Sequence, residues 1–124
     1  MKYAFTTLGC PDWDLDTIIQ AATELGYDAI DFRGYKEELA IWEMPEFGAR
    51  IQETARKIGD AGLRVSCIST GVKCMAGGAG NAEEITRSAE VAARLGADQL
   101  RVFGGAYDES EMDRDTATKA LATV

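Results

Sequence analysis

The sequence predicts an α/β fold of parallel (β/α) units, about four of the eight that close a barrel. Two observations carry that prediction. A phrase recurs as "TELGYDAIDF", "GDAGLRVSCI" and "ARLGADQLRVF". In each, an amphipathic helix ends at a Gly, and an apolar strand begins after one or two polar or turn residues. The glycines Gly26, Gly62 and Gly96 stand 36 and 34 residues apart. Gly is favoured just past a helix end because it enters the left-handed conformation without a Cβ clash. The second observation is charge inside strands. In "AIDFRG", Asp31 and Arg33 share one strand face, and Ile30 and Phe32 share the other. An open doubly wound sheet would cover both faces with apolar helix surface. A barrel instead leaves the inner face leading to a rim where ligands bind. Arg101 and Phe103 repeat the pattern in the last strand.

The elements follow in order. Strands are expected at Tyr3–Leu8, Ala29–Arg33, Arg64–Thr70 and Gln99–Gly104. The first helix runs from about Leu15 to Leu25, with Asp14 as its N-cap and Ile18, Ile19, Ala22 and Leu25 as its buried stripe. The second runs from about Pro45 to Ala61, with Pro45 in the first turn, where its missing N–H costs nothing. Phe47, Ile51, Ala55 and Ile58 are its apolar positions. The third runs from about Ala82 to Leu95, with Asn81 and Glu84 spaced as a capping box. Lys36–Met44 has room for a short extra helical turn, and "DRDTATKALATV" reads as a fourth helix that the chain ends inside.

Composition narrows the function classes. The net charge of −8 repels phosphate backbones, so nucleic acid is not an expected partner. No apolar run approaches the length of a membrane span, and "MKYAFTTLG" lacks the apolar core of a signal peptide. Cys10, Cys67 and Cys74 show no CxxC spacing, so a reduced, cytoplasmic chain is expected. With no His in the sequence, this chain alone cannot build a Ser-His-Asp triad, a Cys-His dyad or an imidazole-bound metal.

The candidate site residues sit at strand ends. Asp31 and Arg33 suit hydrogen bonding to hydroxyls or a carboxylate, against the alternative of a pair that neutralises itself. Ser69 and Thr70 end the third strand, and one of them should face inward as a hydroxyl donor. Arg101, which begins its strand, suits a structural salt bridge with a residue such as Asp31. Trp13 suits either stacking on a sugar face or a hydrophobic staple before the first helix. Cys67 reads as a small core residue. The Gly-rich "TGVKCMAGGAGNAEE" fails both the P-loop and the GxGxxG patterns. It reads as a long loop over the site, from which Lys73 has the length to reach an anion.

Taken together, "FTTLGCPDWDLDTIIQAATELGYDAIDFRG", "AGLRVSCIST" and "LGADQLRVFGG" resemble the N-terminal half of the sugar phosphate isomerase/epimerase family, the xylose-isomerase-like TIM barrels. The resemblance covers essentially all of residues 1–124. It implies isomerisation, epimerisation or, in some members, dehydration of sugars or polyols, by proton transfer next to a carbonyl with help from a divalent metal. It also implies that the metal ligands and the proton-transfer residues lie on later strands, so this segment binds no metal. What remains here is a substrate wall of Cys10, Trp13, Asp31, Arg33, Thr70 and Gly104. Two alternatives stand beside the enzyme half. One is a catalytically inactive half-barrel that self-associates through its open strand edges as a binding or assembly module. The other is an open flavodoxin-like sheet.

Overall fold

The computed structural model describes residues 1–76 and 79–105 together with Asp115 and Lys119. Four strands, β1 (Ala4–Thr6), β2 (Ala29–Phe32), β3 (Arg64–Lys73) and β4 (Leu100–Phe103), form one sheet in the order β1-β2-β3-β4. Every pairing is parallel. Three helices, α1 (Leu15–Glu24), α2 (Ile51–Asp60) and α3 (Ala79–Leu95), connect the strands. Their apolar stripes bury Ile18, Ala22, Ile51, Ile58, Val91 and Ala92 against Ile30, Phe32, Val65 and Ile68. Strands in sequence order with helices on one face make half of an eight-stranded barrel. A doubly wound sheet reverses its strand order and carries helices on both faces. Asp115 and Lys119 are helical, and the rest of the segment read as a fourth helix lies outside the described residues.

The three repeated glycines close the helices in the same way. Gly26, Gly62 and Gly96 have φ of 73°, 75° and 72°. After each, the next N–H bonds back across the turn: Tyr27 to the Ala22 carbonyl at 2.9 Å, Leu63 to Ile58 at 3.1 Å, and Ala97 to Ala92 at 2.9 Å. These are Schellman caps, each followed by an apolar residue that turns the chain into the next strand.

Several boundaries differ from the sequence expectation. β1 stops at Thr6, and a 3-10 turn over Thr7–Gly9 follows. α2 begins at Ile51 rather than near Pro45. Phe47 drops into the core there, its ring 5.0 Å from Phe32 and 5.2 Å from Tyr35. Tight turns carry the chain around it, with the Arg50 N–H on the Pro45 carbonyl at 2.8 Å. The extra turn expected in Lys36–Met44 is present as a 3-10 turn at Ile41–Glu43. α3 begins at Ala79, so Asn81 and Glu84 lie inside it and do not form a capping box; both reach back to β3. Leu25, expected in the buried stripe of α1, is 72% exposed, because it caps the helix beside the open edge of β1.

One irregularity sets the facing of β3. Ile30 pairs with Val65, but Asp31 pairs with Cys67, which leaves Ser66 without a counterpart on β2. The Ser66 hydroxyl donates to the Ile30 carbonyl at 3.2 Å. A single extra residue reverses the alternation of a strand. Val65 and Ile68, three residues apart, therefore both enter the core, while Cys67 is only half-buried on the opposite face.

Candidate functional site

The inner face of the sheet carries a polar relay. The Ser69 hydroxyl donates to Asp31 Oδ1 at 2.7 Å and accepts from Arg101 Nε at 3.2 Å. Cys67 Sγ lies 3.9 Å from the same hydroxyl, and burial pushes its thiol pKa up. The Arg101 guanidinium stacks on the Phe103 ring, 4.3 Å from its centroid. Asp31 and Arg101, expected as a direct pair, are bridged by Ser69. Three neighbouring strands thus contribute one hydrogen-bonded set, with a carboxylate at one end and a guanidinium at the other.

The C-terminal ends of β2 and β3 form a rim beside this relay. Arg33 follows β2, its backbone N–H held by Thr7 Oγ1 at 2.9 Å. Between β3 and β4 the register passes from Ser69–Arg101 to Lys73–Phe103, so β3 loops two extra residues out of the ladder. The freed Gly71 N–H donates to the Glu84 carboxylate on α3. Asn81 Nδ2 donates to the Lys73 carbonyl at 2.9 Å, tying the start of α3 to the same strand end. A cavity of about 350 Å³ opens here, between the β2–α2 loop and the first turns of α3, with Arg33, Trp42, Gly71 and Glu84 among its lining.

The expected site residues fall into separate groups. Asp31 belongs to the inner relay and Arg33 to the rim cavity. Cys10 is buried in the core cluster, and burial raises its thiol pKa. With the half-exposed Trp13 it lines an apolar groove of about 420 Å³ at the free edge of β1, between that strand and α1. Thr70 is buried; its hydroxyl donates to the Arg101 carbonyl at 2.9 Å and accepts from the Val72 N–H at 3.2 Å. It shapes the strand, and the inward hydroxyl of the pair is Ser69. Gly104 is exposed and its carbonyl accepts from the Met75 N–H at 3.0 Å, which holds the β3–α3 turn against the end of β4. The sequence offers Ser69 as one of two candidate inward hydroxyls, and no motif in it singles out Gly71 or Glu84 as site residues.

The first loop is organised by residues further along the chain. Thr7 Oγ1 donates to the Gly34 carbonyl at 2.7 Å. The Glu37 N–H reaches the Pro11 carbonyl at 3.2 Å, and the Leu15 N–H reaches the Tyr35 hydroxyl at 3.1 Å. Lys36 and Glu37 adopt left-handed φ of 49° and 65° in a two-residue turn closed by Tyr35 and Glu38. Such turns are usually made with Asn or Gly.

The divalent metal implied by the family resemblance does not fit the residues in view. Among the described residues no group of three or more His, Cys, Asp or Glu side chains is placed to hold a metal ion. Among the same residues no helix is long and apolar enough to cross a membrane.

No family model and no curated protein matches the chain. Among solved structures, it is similar to the probable 3-DHS dehydratase AsbF involved in petrobactin synthesis, from Bacillus anthracis, with a TM-score of 0.77 at 17% sequence identity. The match covers 99% of this chain and 45% of that one, so the chain spans less than half the length of the protein it resembles. The likeness shows the fold, half of a (β/α)8 barrel.

Proposed function

We propose that this chain forms the substrate wall of a sugar or sugar-phosphate isomerase or epimerase, an enzyme that moves a proton next to a carbonyl. The observation that carries this reading is the Asp31–Ser69–Arg101 relay, set on the inner face of a half-barrel beside a cavity at the C-terminal strand ends. That is the end where barrels of this kind bind their ligands. The likeness to a probable dehydratase supports the broader class of enzymes acting on polyhydroxylated carbon skeletons. The residues in view bind and orient. Asp31 accepts from a hydroxyl, Arg101 donates, Ser69 holds those two in register, and Arg33 donates from the rim.

The test is saturation-transfer NMR of the chain with a panel of aldoses, ketoses, polyols and their phosphates. Transfer to sugar protons is expected, and Asp31→Asn and Ser69→Ala weaken it. No transfer to any member at millimolar concentration overturns the reading.

A second reading, an inactive half-barrel that self-associates, is favoured by β1 and β4, each paired on one side only among the described residues. The groove holding Trp13 borders the β1 edge, and Phe103 on β4 is 42% exposed. Unpaired edges of this kind recruit other strands. Light scattering decides: twice the 13.4 kDa chain mass supports pairing, and a soluble folded monomer refutes it.

A further inference from the structure

We infer that the rim cavity recognises an uncharged vicinal diol, with one hydroxyl on Arg33 and its neighbour on Glu84, so that the substrate is a free sugar or polyol rather than a phosphate ester. The inference rests on the sugar-binding reading above and narrows it.

The geometry centres on Gly71. A Cβ placed there would lie 3.3 Å from Glu84 Oε1, 3.4 Å from Arg33 Nη2 and 3.6 Å from Glu84 Oε2. A strong donor and a strong acceptor therefore border one methyl-sized gap, which the absence of a side chain keeps open. Among the described residues no ion pair joins them, and the Arg33 guanidinium has no hydrogen-bond partner there. Its backbone is nonetheless fixed by Thr7. Glu84 is fixed as well, since one carboxylate oxygen accepts the Gly71 N–H. Its other oxygen is left to accept from a ligand. Two hydroxyls on adjacent carbons sit about a hydrogen bond's length apart, so one accepts from the guanidinium while the other donates to the carboxylate.

Charge selects against a phosphate. Arg33 is the one basic group in the lining, and it faces Glu38, Glu83 and Glu84. Glu38 is occupied by the Ala40 N–H at 2.7 Å, but its charge remains. Lys73, whose length suited an anion, does not line this cavity. A phosphate dianion would meet three carboxylates for one guanidinium, in a chain of net charge −8. A neutral diol meets no such field. The volume of about 350 Å³ suits a single small molecule, and Leu39, Ala40 and Trp42 give it an apolar wall for the C–H face of a sugar.

The test compares D-ribose and xylitol with D-ribose 5-phosphate and inorganic phosphate, using amide chemical shifts of the intact chain. The neutral ligands are expected to move the Gly71 amide and to bind at least tenfold more tightly than either phosphate. Gly71→Ala fills the gap; the atoms it meets are side-chain ends and no backbone, so the fold stands while Arg33 and Glu84 are displaced and affinity falls at least tenfold. Arg33→Gln lowers it similarly and serves as the second variant. Tighter binding of the phosphates, lost in Arg33→Gln, overturns the diol assignment and leaves the sugar reading standing. Neutral binding undiminished in both variants also overturns it, placing the sugar elsewhere. No binding of any ligand removes both.

Discussion

Deleting Ser66 should leave the fold intact, although single deletions inside a buried strand usually destroy it. The reason lies in the register. Ile30 already pairs with Val65 and Asp31 with Cys67, so Ser66 is the residue the ladder does not use. Without it, Val65 stays in the core, Cys67 stays inward and Ile68 stays in the core. The deletion loses the Ser66 hydroxyl bond to the Ile30 carbonyl, about 1 kcal/mol, and gains a regular ladder step of similar size. The net change is within about 1 kcal/mol. Deleting Asp31 from β2 is the contrast, because no spare residue absorbs it. Phe32, fully buried, would turn inward to the lumen, and Arg33 would turn toward the core. Exposing Phe32 alone costs roughly 1.5–3 kcal/mol, and an unpaired buried guanidinium adds several more. That total rivals the entire stability of a small domain, about 5–15 kcal/mol. Urea unfolding followed by circular dichroism reads both variants. A Ser66 deletion that loses as much stability as the Asp31 deletion would refute the argument that the bulge sets the facing of β3.

Other perturbations have defined outcomes. Gly62→Ala costs about 1–2 kcal/mol, since φ is +75° and no atom lies within 4 Å of the new methyl, so the penalty is conformational. Gly59→Ala, in the last turn of α2 with equal space and no positive φ, gains up to about 0.5–1 kcal/mol, and urea midpoints of the two should move in opposite directions. Asp14 caps α1, and hydrogen bonds from Thr17 hold its pKa below the ordinary value. Its contribution is present above the usual carboxylate range and is lost as pH falls through the depressed value. Asp14→Asn keeps the acceptor, so it should flatten the acid limb of a stability profile. Burial raises the thiols of Cys10 and Cys67 and the Tyr35 hydroxyl. Their contribution is whole below the ordinary thiol value of 9.0 and declines as pH rises past it, so urea midpoints at pH 7 and pH 10 should differ, and less so in Cys10→Ala.

What the sequence made legible was whatever repeats or alternates. The glycines after each helix follow from backbone sterics alone, and the facing of Asp31 and Arg33 follows from plain alternation in β2. Alternation misled in β3. Counting by twos from the buried Val65 sends Cys67 and Ser69 into the core and Thr70 inward to the lumen; the bulge at Ser66 reverses all three. A one-residue insertion is invisible unless the partner strand is known. The spacing of Glu84 misleads for a related reason. Its spacing from Asn81 matches a capping box, while its actual partner, the Gly71 N–H, is freed only by the loss of ladder pairing with β4. Cys10 and Trp13 sit where they do because the first turn folds toward the open edge of β1, which no local pattern in "GCPDW" specifies.

The bonds around the first loop impose an order of events during synthesis. Thr7 waits for Arg33 and Gly34, the Leu15 N–H waits for the Tyr35 hydroxyl, and Tyr35 is itself clamped by Phe47. The first loop leaves the ribosome before the residues that hold it, and is therefore fixed only after they follow. Until residues 33–47 emerge, the apolar side chains of β1 and its loop have nothing to fold against. In that interval they are exposed apolar surface that a chaperone on the nascent chain can hold.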